Sequence, residues 1–175
     1  MSYLENDDII LRALEPADLD TIFKWENDTS IWAIGCTMAP LSKMQICEYI
    51  KDYTGDIYSQ HQLRFLIERK TDKQRLGLID VFDFDPFHKR AYLGLLIDQS
   101  QRRKNYGYSA TCLLIDYAKN FLGIHQLVAN IPADNTPCSN LFKHLLDFKQ
   151  TGILQDWIRI GNDYHDVVVL QLILD

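Results

Sequence analysis

Residues Gln101 to Ala110 are the part of the sequence whose residue types and spacing most directly suggest chemistry. They read Gln-Arg-Arg-Lys-Asn-Tyr-Gly-Tyr-Ser-Ala and stand between an apolar stretch, Tyr92 to Ile97, and an amphipathic one. A basic loop with Gly and Asn that opens a helix just after a strand presents backbone N–H groups and a positive helix dipole to an anion. A pyrophosphate fits such a nest, so we predict that this loop holds a phosphate-bearing cofactor.

Two familiar phosphate-binding patterns do not describe this loop. No Gly-Lys-Ser/Thr follows it, which excludes a Walker loop, and its single glycine excludes the dinucleotide fingerprint. The alternative is that Arg102, Arg103 and Lys104 form a solvated surface turn. The elements on either side of the loop bear on this choice.

The hydrophobic periodicity predicts the order β-α-α-β-β-β, the loop, then α-β-α-β-β. Three strand-like runs joined by polar turns precede the loop and are typical of an antiparallel meander. The predicted strands are Ile9 to Leu14, Leu63 to Arg69, Leu76 to Asp83, Ala91 to Ile97, Gln126 to Ile131, and a hairpin of Ile153 to Ile160 and Val167 to Leu174.

Local signals place the helix ends. Glu15-Pro16 opens the first helix, Ser42 and Gln45 have capping-box spacing before the second, and Asn135-Thr136-Pro137 is a helix start. The helix after the loop has an apolar face and is expected to stop near Gly123. Its apolar face consists of Ala110, Leu113, Leu114, Tyr117, Ala118 and Phe121, and Leu141, Phe142 and Leu145 are expected to face the core after Asn135.

Composition limits the class of protein. The 175 residues suit one domain, 1–175, and the net charge of −6 argues against a nucleic-acid partner while mildly favouring a cationic one. The four cysteines, Cys36, Cys47, Cys112 and Cys138, contain no Cys-x-x-Cys pair, so no metal is predicted. The start of the chain has no secretory pattern and no apolar run reaches membrane-spanning length, so a cytoplasmic protein without a membrane partner is expected.

The segment Ile97-Asp98, then Arg102 to Gly107, then the helix at Ala110 resembles motif A of the GNAT N-acetyltransferase superfamily, Gln/Arg-x-x-Gly-x-Gly/Ala. Asn105 stands at the first Gly and Gly107 keeps the second; Asn tolerates a positive φ better than most residues. The resemblance implies an α/β (α+β) fold: a mixed, mostly antiparallel central sheet with splayed central strands, flanking helices and a C-terminal β-hairpin.

The resemblance also implies a cofactor, acetyl-CoA, and residues to hold it. Backbone N–H groups of Arg103 to Tyr108 would bind the pyrophosphate, with charge from Arg102, Arg103 and Lys104. The strand from Leu95 to Ile97 would pair with the pantetheine arm. The implied cofactor-binding residues are Leu95, Ile97, Arg102, Arg103, Lys104, Asn105, Tyr106, Gly107, Tyr108 and Asn135.

The acid that protonates the departing thiolate differs from the common pattern. Phe142 occupies the register of a Tyr in many GNAT enzymes, next to a one-residue insertion near Leu146. The ribosomal-protein branch uses a Ser at the helix start, and Ser139 is the nearest match, with Cys138 in the alternative register. The phenols of Tyr106, Tyr108 and Tyr164 are further candidates.

The base is sought among carboxylates. Asp80 stands where the spermidine branch has an acidic residue, and its alternative is a solvent-facing strand Asp. Tyr92 replaces a Glu found in many relatives. His125 and His88 are expected to be structural and solvated, respectively.

The acceptor is left open by the sequence. Arg64 to Glu68, Leu76 to Asp80, His88 to Ala91 and Leu122 to Leu127 resemble the bacterial spermidine N-acetyltransferase branch, whereas the C-terminal stretch is shared with the ribosomal-protein N-terminal acetyltransferases. An acetyltransferase acting on a small amine, polyamine favoured, is the first hypothesis. The alternatives are acetylation of protein N-termini and a non-catalytic acyl-CoA-binding module.

The spermidine branch implies two further properties. Its members form large assemblies, which implies a possible homo-oligomer. They also bind polyamine through acidic residues in the early helical region, where Gly35 to Pro40 of this chain is apolar or neutral. Glu26, Asp28, Glu48 and Asp52 are the acidic residues that could take their place.

Overall fold

The computed structural model describes residues 3–35 and 37–174, and Cys36 lies outside them. Its elements follow the predicted order, with two additional short helices before the second strand. The strands are β1 (Ile9–Arg12), β2 (Leu63–Arg69), β3 (Arg75–Asp85), β4 (Arg90–Ile97), β5 (Gln126–Pro132), β6 (Lys149–Ile160) and β7 (Asp163–Ile173). The α-helices are α1 (Leu19–Glu26), α2 (Trp32–Gly35), α3 (Lys43–Asp52), α4 (Ile57–Gln60), α5 (Tyr106–Asn120) and α6 (Thr136–Asn140).

The described strands form one sheet in the order β1-β2-β3-β4-β5-β7-β6. The strands β1 to β4 are antiparallel neighbours, and β2, β3 and β4 form the predicted meander. The pair β4 and β5 is parallel and is joined by α5, since parallel strands need a crossover connection. The predicted hairpin is β6 with β7.

Two apolar clusters cover the two faces of the sheet. On one face the buried residues Ala110, Leu114 and Ala118 of α5 pack against strand residues such as Ile67 and Ile79. On the other face α1 and α3 cover the sheet. That second cluster contains Leu14, Ile22, Trp25, Ile46, Ile50, Leu66 and Leu78. Leu96 packs against it, so side chains of even-numbered β4 residues point to the α1 face.

Several local predictions are confirmed. Ser42 and Gln45 form both hydrogen bonds of a capping box at α3, and Pro16 opens a 3-10 turn, Pro16–Asp18, that leads into α1. Asn135 caps α6. Gly123 follows α5 with φ of +64°, a conformation that favours glycine.

Other predictions need correction. The short helices α2 and α4 have no clear periodic signal in the sequence and were not predicted. Leu145, expected in the core, is 58% exposed. The reason is a π-helical turn, Leu141–Leu145, directly after α6. Such a turn accommodates one extra residue in a helix and rotates the chain beyond it, which matches the one-residue insertion in the sequence.

Candidate active site

The loop between β4 and α5 has an alternating backbone conformation. After a 3-10 turn, Gln99–Gln101, Arg102 is extended, while Arg103 and Asn105 have φ of 61° and 66°. Left-handed residues beside right-handed ones turn successive N–H groups towards one point and form an anion-binding nest. The expected positive φ at Asn105 is therefore present, and Arg103 adds a second one that the sequence did not indicate.

The first turn of α5 faces the same loop. Asn105 occupies the N-cap position but its side chain makes no capping hydrogen bond. The first amides of a helix need an external acceptor when no cap is present, and a 15-residue helix adds its dipole. This arrangement fits the pyrophosphate of a CoA thioester, the chemistry of which is to deliver an activated acyl group.

The basic side chains of the loop differ in their engagement. Arg102 Nε donates to the Ile97 carbonyl at 3.1 Å, and Lys104 Nζ donates to Gln101 Oε1 at 3.0 Å. Arg103 is exposed, and no hydrogen bond or ion pair joins it to the described part of the chain. Of the three cations, Arg103 thus has the fewest internal partners competing with a phosphate.

Gly107 lies where α5 meets the splayed strand. A Cβ at Gly107 would stand 3.3 Å from Leu95 and 3.6 Å from both Ile97 and Leu141. The absence of a side chain therefore lets the helix start approach β4 closely. Leu95 and Ile97 themselves pack against the core on the α5 face, so their predicted cofactor contacts must come from the backbone.

The two tyrosines beside Gly107 are tied to protein groups. Tyr106 Oη accepts a hydrogen bond from Arg69 at 3.0 Å, which draws this phenol towards β2. The Cys112 thiol on the next turn of α5 raises the pKa of Tyr108. Tyr164 is 61% exposed on the hairpin.

A wedge opens between β4 and β5. Their parallel pairing covers Arg90, Ala91 and Tyr92 and stops at the pair Tyr92–Val128. Beyond it β4 continues to pair with β3 as far as Ile97, while β5 pairs with β7 as far as Pro132. Beyond Tyr92 and Val128 the facing edges of β4 and β5 are therefore not paired with each other. The β4 edge can pair with an extended amide-containing chain such as pantetheine.

The start of α6 borders this wedge on the β5 side. Asn135 Oδ1 accepts the Cys138 amide at 3.3 Å, so the predicted cofactor residue also caps the helix. Ser139 is half-buried, and its hydroxyl has no hydrogen-bond partner within residues 3–35 and 37–174. Burial raises the pKa of Cys138 to about 11, which keeps its thiol protonated.

Phe142 is a core residue. It is 2% exposed and packs edge-on against Phe148 with ring centroids 5.0 Å apart. This register is therefore occupied by a core side chain that has no proton to donate.

Asp80 is not the solvent-facing strand residue of the alternative hypothesis. Its side chain is buried, the residue being 8% exposed, and it forms an ion pair with Arg64 at 3.0 Å on the α1 face of the sheet. Arg64 also pairs with Glu26 at 3.2 Å, and its guanidinium lies 5.7 Å from the Tyr49 ring centroid. We define these residues, Glu26, Tyr49, Arg64 and Asp80, as the Arg64 cluster.

Sequence reasoning did not single out Arg64 and Tyr49 as members of the group around Asp80. The meander was predicted, but nothing in the sequence indicated that Arg64, Asp80 and Gly94 lie in register on adjacent strands. Of the acidic substitutes named for polyamine binding, Glu26 belongs to the cluster. Asp28 is held by Ser30 instead, and Glu48 and Asp52 are exposed on α3.

Two cavities lie on the α1 face. One, of about 340 Å³, is lined by α1, the end of β4 and the loop between β4 and α5, including Lys24, Trp25, Asp98 and Arg102. The other, of about 470 Å³, lies where β4 and β5 are still paired, and Tyr92 and Val128 line it. Tyr92 stacks on Phe82 at 5.7 Å between ring centroids, so an aromatic pair stands beside this cavity.

Comparison with known protein families gives a match over most of the chain. Residues 8–145 match the family described as the acetyltransferase (GNAT) domain. The chain belongs to the GNAT acetyltransferase family. GNAT enzymes take their acetyl group from acetyl-CoA, and the uncapped start of α5 and the open β4 edge fit that cosubstrate.

Curated proteins match the chain over most of its length at low sequence identity. Spermidine N(1)-acetyltransferase of Escherichia coli K12 is 22% identical over 158 residues, 90% of this chain and 82% of that protein. An uncharacterized N-acetyltransferase of Bacillus subtilis is 24% identical over 171 residues, 97% of this chain and 96% of its own length.

The solved structures agree on the fold. Spermidine N-acetyltransferase of Vibrio cholerae, in complex with CoA and spermine, superposes with a TM-score of 0.85 at 22% identity and covers 97% of both chains. A dodecameric structure of the Vibrio cholerae enzyme gives 0.80 at 23% identity, covering 97% of this chain and 95% of that one. At this identity the likeness establishes the GNAT fold of the present chain.

The described residues contain neither a metal cluster nor a membrane-spanning helix. Within residues 3–35 and 37–174 no group of three or more His, Cys, Asp or Glu side chains is arranged to hold a metal ion. Across the same ranges, no helix is both long enough and apolar enough to span a bilayer.

Proposed function

We propose that this GNAT protein transfers an acetyl group from acetyl-CoA to a primary amine and that polyamines of the spermidine and spermine type are its favoured acceptors. The observation that carries the proposal is the position of Asp80. Its carboxylate lies opposite Gly94 of β4, two residues beyond the last β4–β5 pair and on the face away from α5. A carboxylate there meets an amine that approaches the wedge from the α1 face.

The chain's residues divide the work in this proposal. The Arg103 to Tyr108 amides hold the pyrophosphate, Asp98 anchors the start of the loop, and the free edge of β4 orients the pantetheine arm. Asn135 fixes the start of α6 beside the wedge. Asp80 attracts the ammonium and takes its proton, and the Ser139 hydroxyl gives a proton to the sulfur as the thioester bond breaks.

Charge supports a cationic acceptor. The Arg64 cluster has two carboxylates and one guanidinium, so its formal charge is −1, and the whole chain carries −6. The names of the relatives in Escherichia coli and Vibrio cholerae agree with a polyamine acceptor. The free thiols of Cys47, Cys112 and Cys138 and the use of acetyl-CoA both suit a cytoplasmic location, which belongs to the same proposal.

The proposal extends to self-association. The hairpin of β6 and β7 exposes apolar side chains, among them Ile153, Trp157 and Tyr164, and β6 is the edge strand. Exposed apolar residues on an edge strand favour pairing with a second copy. Light scattering of the wild type and Trp157→Lys measures this, and a wild-type monomer would contradict it.

The test of the enzymatic proposal is release of CoA thiol from acetyl-CoA. Spermidine, spermine, free amino acids and short peptides with free N-termini serve as acceptors in separate reactions. Turnover with the polyamines supports the proposal. Turnover with peptides but not polyamines replaces it with N-terminal acetylation, and CoA binding without any turnover replaces it with a binding module.

A further inference from the structure

The hydrogen bonds of Asp80 all reach the same oxygen. Gln62 Nε2 donates to Oδ2 at 2.8 Å, and Arg64 donates to it from Nε at 3.1 Å and from its terminal nitrogen at 3.0 Å. In the described part of the chain no donor reaches Oδ1. A carboxylate can accept about four hydrogen bonds over two oxygens, so this one-sided arrangement leaves Oδ1 available.

Gly94 provides the space in which Oδ1 lies. Asp80 and Gly94 are direct partners across β3 and β4. A Cβ added at Gly94 would stand 2.2 Å from Oδ1, well inside van der Waals contact. Any other residue at position 94 would therefore displace the carboxylate. The free oxygen lies directly above the backbone of the strand that borders the wedge.

Contacts other than the one to Asp80 hold Arg64 in place. Its third nitrogen donates to Glu26 at 3.2 Å, and its plane lies beside the Tyr49 ring at 5.7 Å. Its own backbone amide donates to Tyr53 Oη at 2.8 Å. Contacts from α1 and α3 therefore hold the guanidinium, and the guanidinium holds Oδ2.

We infer that Arg64 is a positioning residue that fixes Asp80 by Oδ2, so that Oδ1 above Gly94 is the atom that receives the acceptor's ammonium group. This inference rests on the proposed function. It adds which oxygen acts, which residue orients it and why position 94 has no side chain.

The chemistry assigned to Oδ1 balances. Oδ1 takes one proton from the ammonium, directly or through a water, and frees the nitrogen lone pair. That lone pair forms the C–N bond to the acetyl carbonyl carbon while the C–S bond breaks. The second N–H proton of the attacking amine passes to solvent. The sulfur leaves as a thiol with the proton of the Ser139 hydroxyl, and solvent returns a proton to Ser139. Arg64 takes no part in these transfers and acts through geometry.

A double-mutant cycle tests the inference. Asp80→Asn, Arg64→Gln and the double variant are compared in kcat, in KM for spermidine and in CoA affinity. We expect a loss of about 100-fold in kcat for Asp80→Asn and of about tenfold or more for Arg64→Gln, because misplacing a catalytic group is costly. In the Asp80→Asn background the Arg64 change should cost nothing further, since Arg64 acts through Asp80. The inference would be overturned if the loss of kcat in the double variant equalled the product of the two single losses. A loss of CoA affinity in Arg64→Gln would also overturn it.

Two further variants separate geometry from folding. Arg64→Lys keeps the charge but cannot hold Oδ2 with two nitrogens, so its kcat should fall while its melting temperature changes less than that of Arg64→Gln. Gly94→Ala should lower kcat without weakening CoA binding, whereas Gly152→Ala, which meets nothing within 4 Å, is the matched control. Arg159→Gln, an exposed arginine, is the control for charge.

A binding arm covers the case in which the wild type does not turn over. Calorimetry of spermidine added to the CoA-loaded protein reports the ammonium contact without chemistry. Binding that weakens in Asp80→Asn and in Gly94→Ala supports the inference even if the proposed reaction fails. If both variants bind spermidine as tightly as the wild type, or turn it over at the wild-type rate, the inference is overturned. The proposed function would still stand in that case.

Discussion

The indole of Trp25 donates a hydrogen bond to Asp98 Oδ2 at 2.8 Å and so connects α1 to the end of β4. Asp98 also accepts from the hydroxyl and amide of Ser100, at 2.6 and 2.9 Å. The Ser100 hydroxyl first, and then the Trp25 indole, lower the pKa of Asp98 to about 2. Trp25 of α1 therefore fixes the point at which the loop between β4 and α5 begins.

Replacement of Trp25 should lower both the stability of the protein and its affinity for CoA. Trp25→Phe removes a hydrogen bond to a charged group, worth about 1.5–3 kcal/mol, and we expect the free energy of unfolding to fall by about 2 kcal/mol. CoA binding should weaken several-fold, because the loop loses its anchor. Urea unfolding and calorimetry measure the two effects. Tyr58→Phe, at a tyrosine that is 65% exposed, is the control, and equal behaviour of the two variants would contradict the prediction.

Gly107→Asp should abolish CoA binding. The Cβ of the new side chain would stand 3.3 Å from Leu95, and its carboxylate would place a negative charge at the start of α5, where the pyrophosphate is expected. We expect a loss of affinity of at least about 100-fold in calorimetry with CoA, since each tenfold corresponds to about 1.4 kcal/mol. Gly152→Asp puts the same charge where a Cβ meets nothing within 4 Å. Retained CoA affinity in folded Gly107→Asp would remove the loop from the cofactor site.

Ser139→Ala tests the acid. If the half-buried hydroxyl protonates the departing sulfur, kcat should fall about 100-fold while CoA affinity stays within about twofold of the wild type. Ser59→Ala, at an exposed serine of α4, is the control. An unchanged kcat in the thiol-release assay would exclude Ser139 from the acid role.

Tyr49 of α3 and Tyr53 at the end of that helix should respond differently to loss of the hydroxyl. Burial raises the pKa of Tyr49, and its hydroxyl is buried without a partner within the described ranges. Tyr53 Oη, by contrast, accepts from the Arg64 amide at 2.8 Å. We expect Tyr49→Phe to change the free energy of unfolding by less than about 0.5 kcal/mol and Tyr53→Phe to lower it by about 1–2 kcal/mol. Chemical denaturation of both variants measures this, and equal losses would contradict the difference in partners.

Asp18 should make stability depend on acid pH. Its fully buried side chain accepts from Arg12 at 2.8 Å and from Arg75 at 2.6 Å. Burial alone would raise its pKa, but these hydrogen bonds lower the pKa from 3.8 to about 2. Because the pKa in the folded state lies below that in the unfolded state, this stabilisation is present above pH 4 and is lost as pH falls towards 2.

The size of that effect comes from the difference between the two pKa values. The shift from 3.8 to about 2 corresponds to about 2.5 kcal/mol, and the wild type should lose most of this between pH 4 and pH 2 through Asp18. Asp18→Asn should lack this part of the pH dependence and should already be less stable at pH 7. Denaturation at several pH values measures it, with Asp7→Asn, an exposed site, as control. An unchanged slope in Asp18→Asn would refute the assignment.

Much of the local structure was determined by the sequence itself. The capping box at Ser42 and the cap at Asn135 depend on a few adjacent residues, so short patterns were enough to predict them. The turn at Asn105 was implied by the resemblance to motif A. The meander and the βαβ crossover around α5 followed from the hydrophobic period and from connection length. Motif A carried the family resemblance, which the match over residues 8–145 confirms.

The tertiary structure decided the positions that depend on register between distant segments. Arg64, Asp80 and Gly94 come together because β2, β3 and β4 pair in one register, and a shift by one residue would turn each side chain to the other face. The wedge exists because β5 leaves β4 after Val128 to stay with β7, and no local pattern specifies where two strands part. Likewise Phe142 is buried and Leu145 exposed because a π-helical turn rotates the chain, which the insertion hinted at but only packing against Phe148 settled.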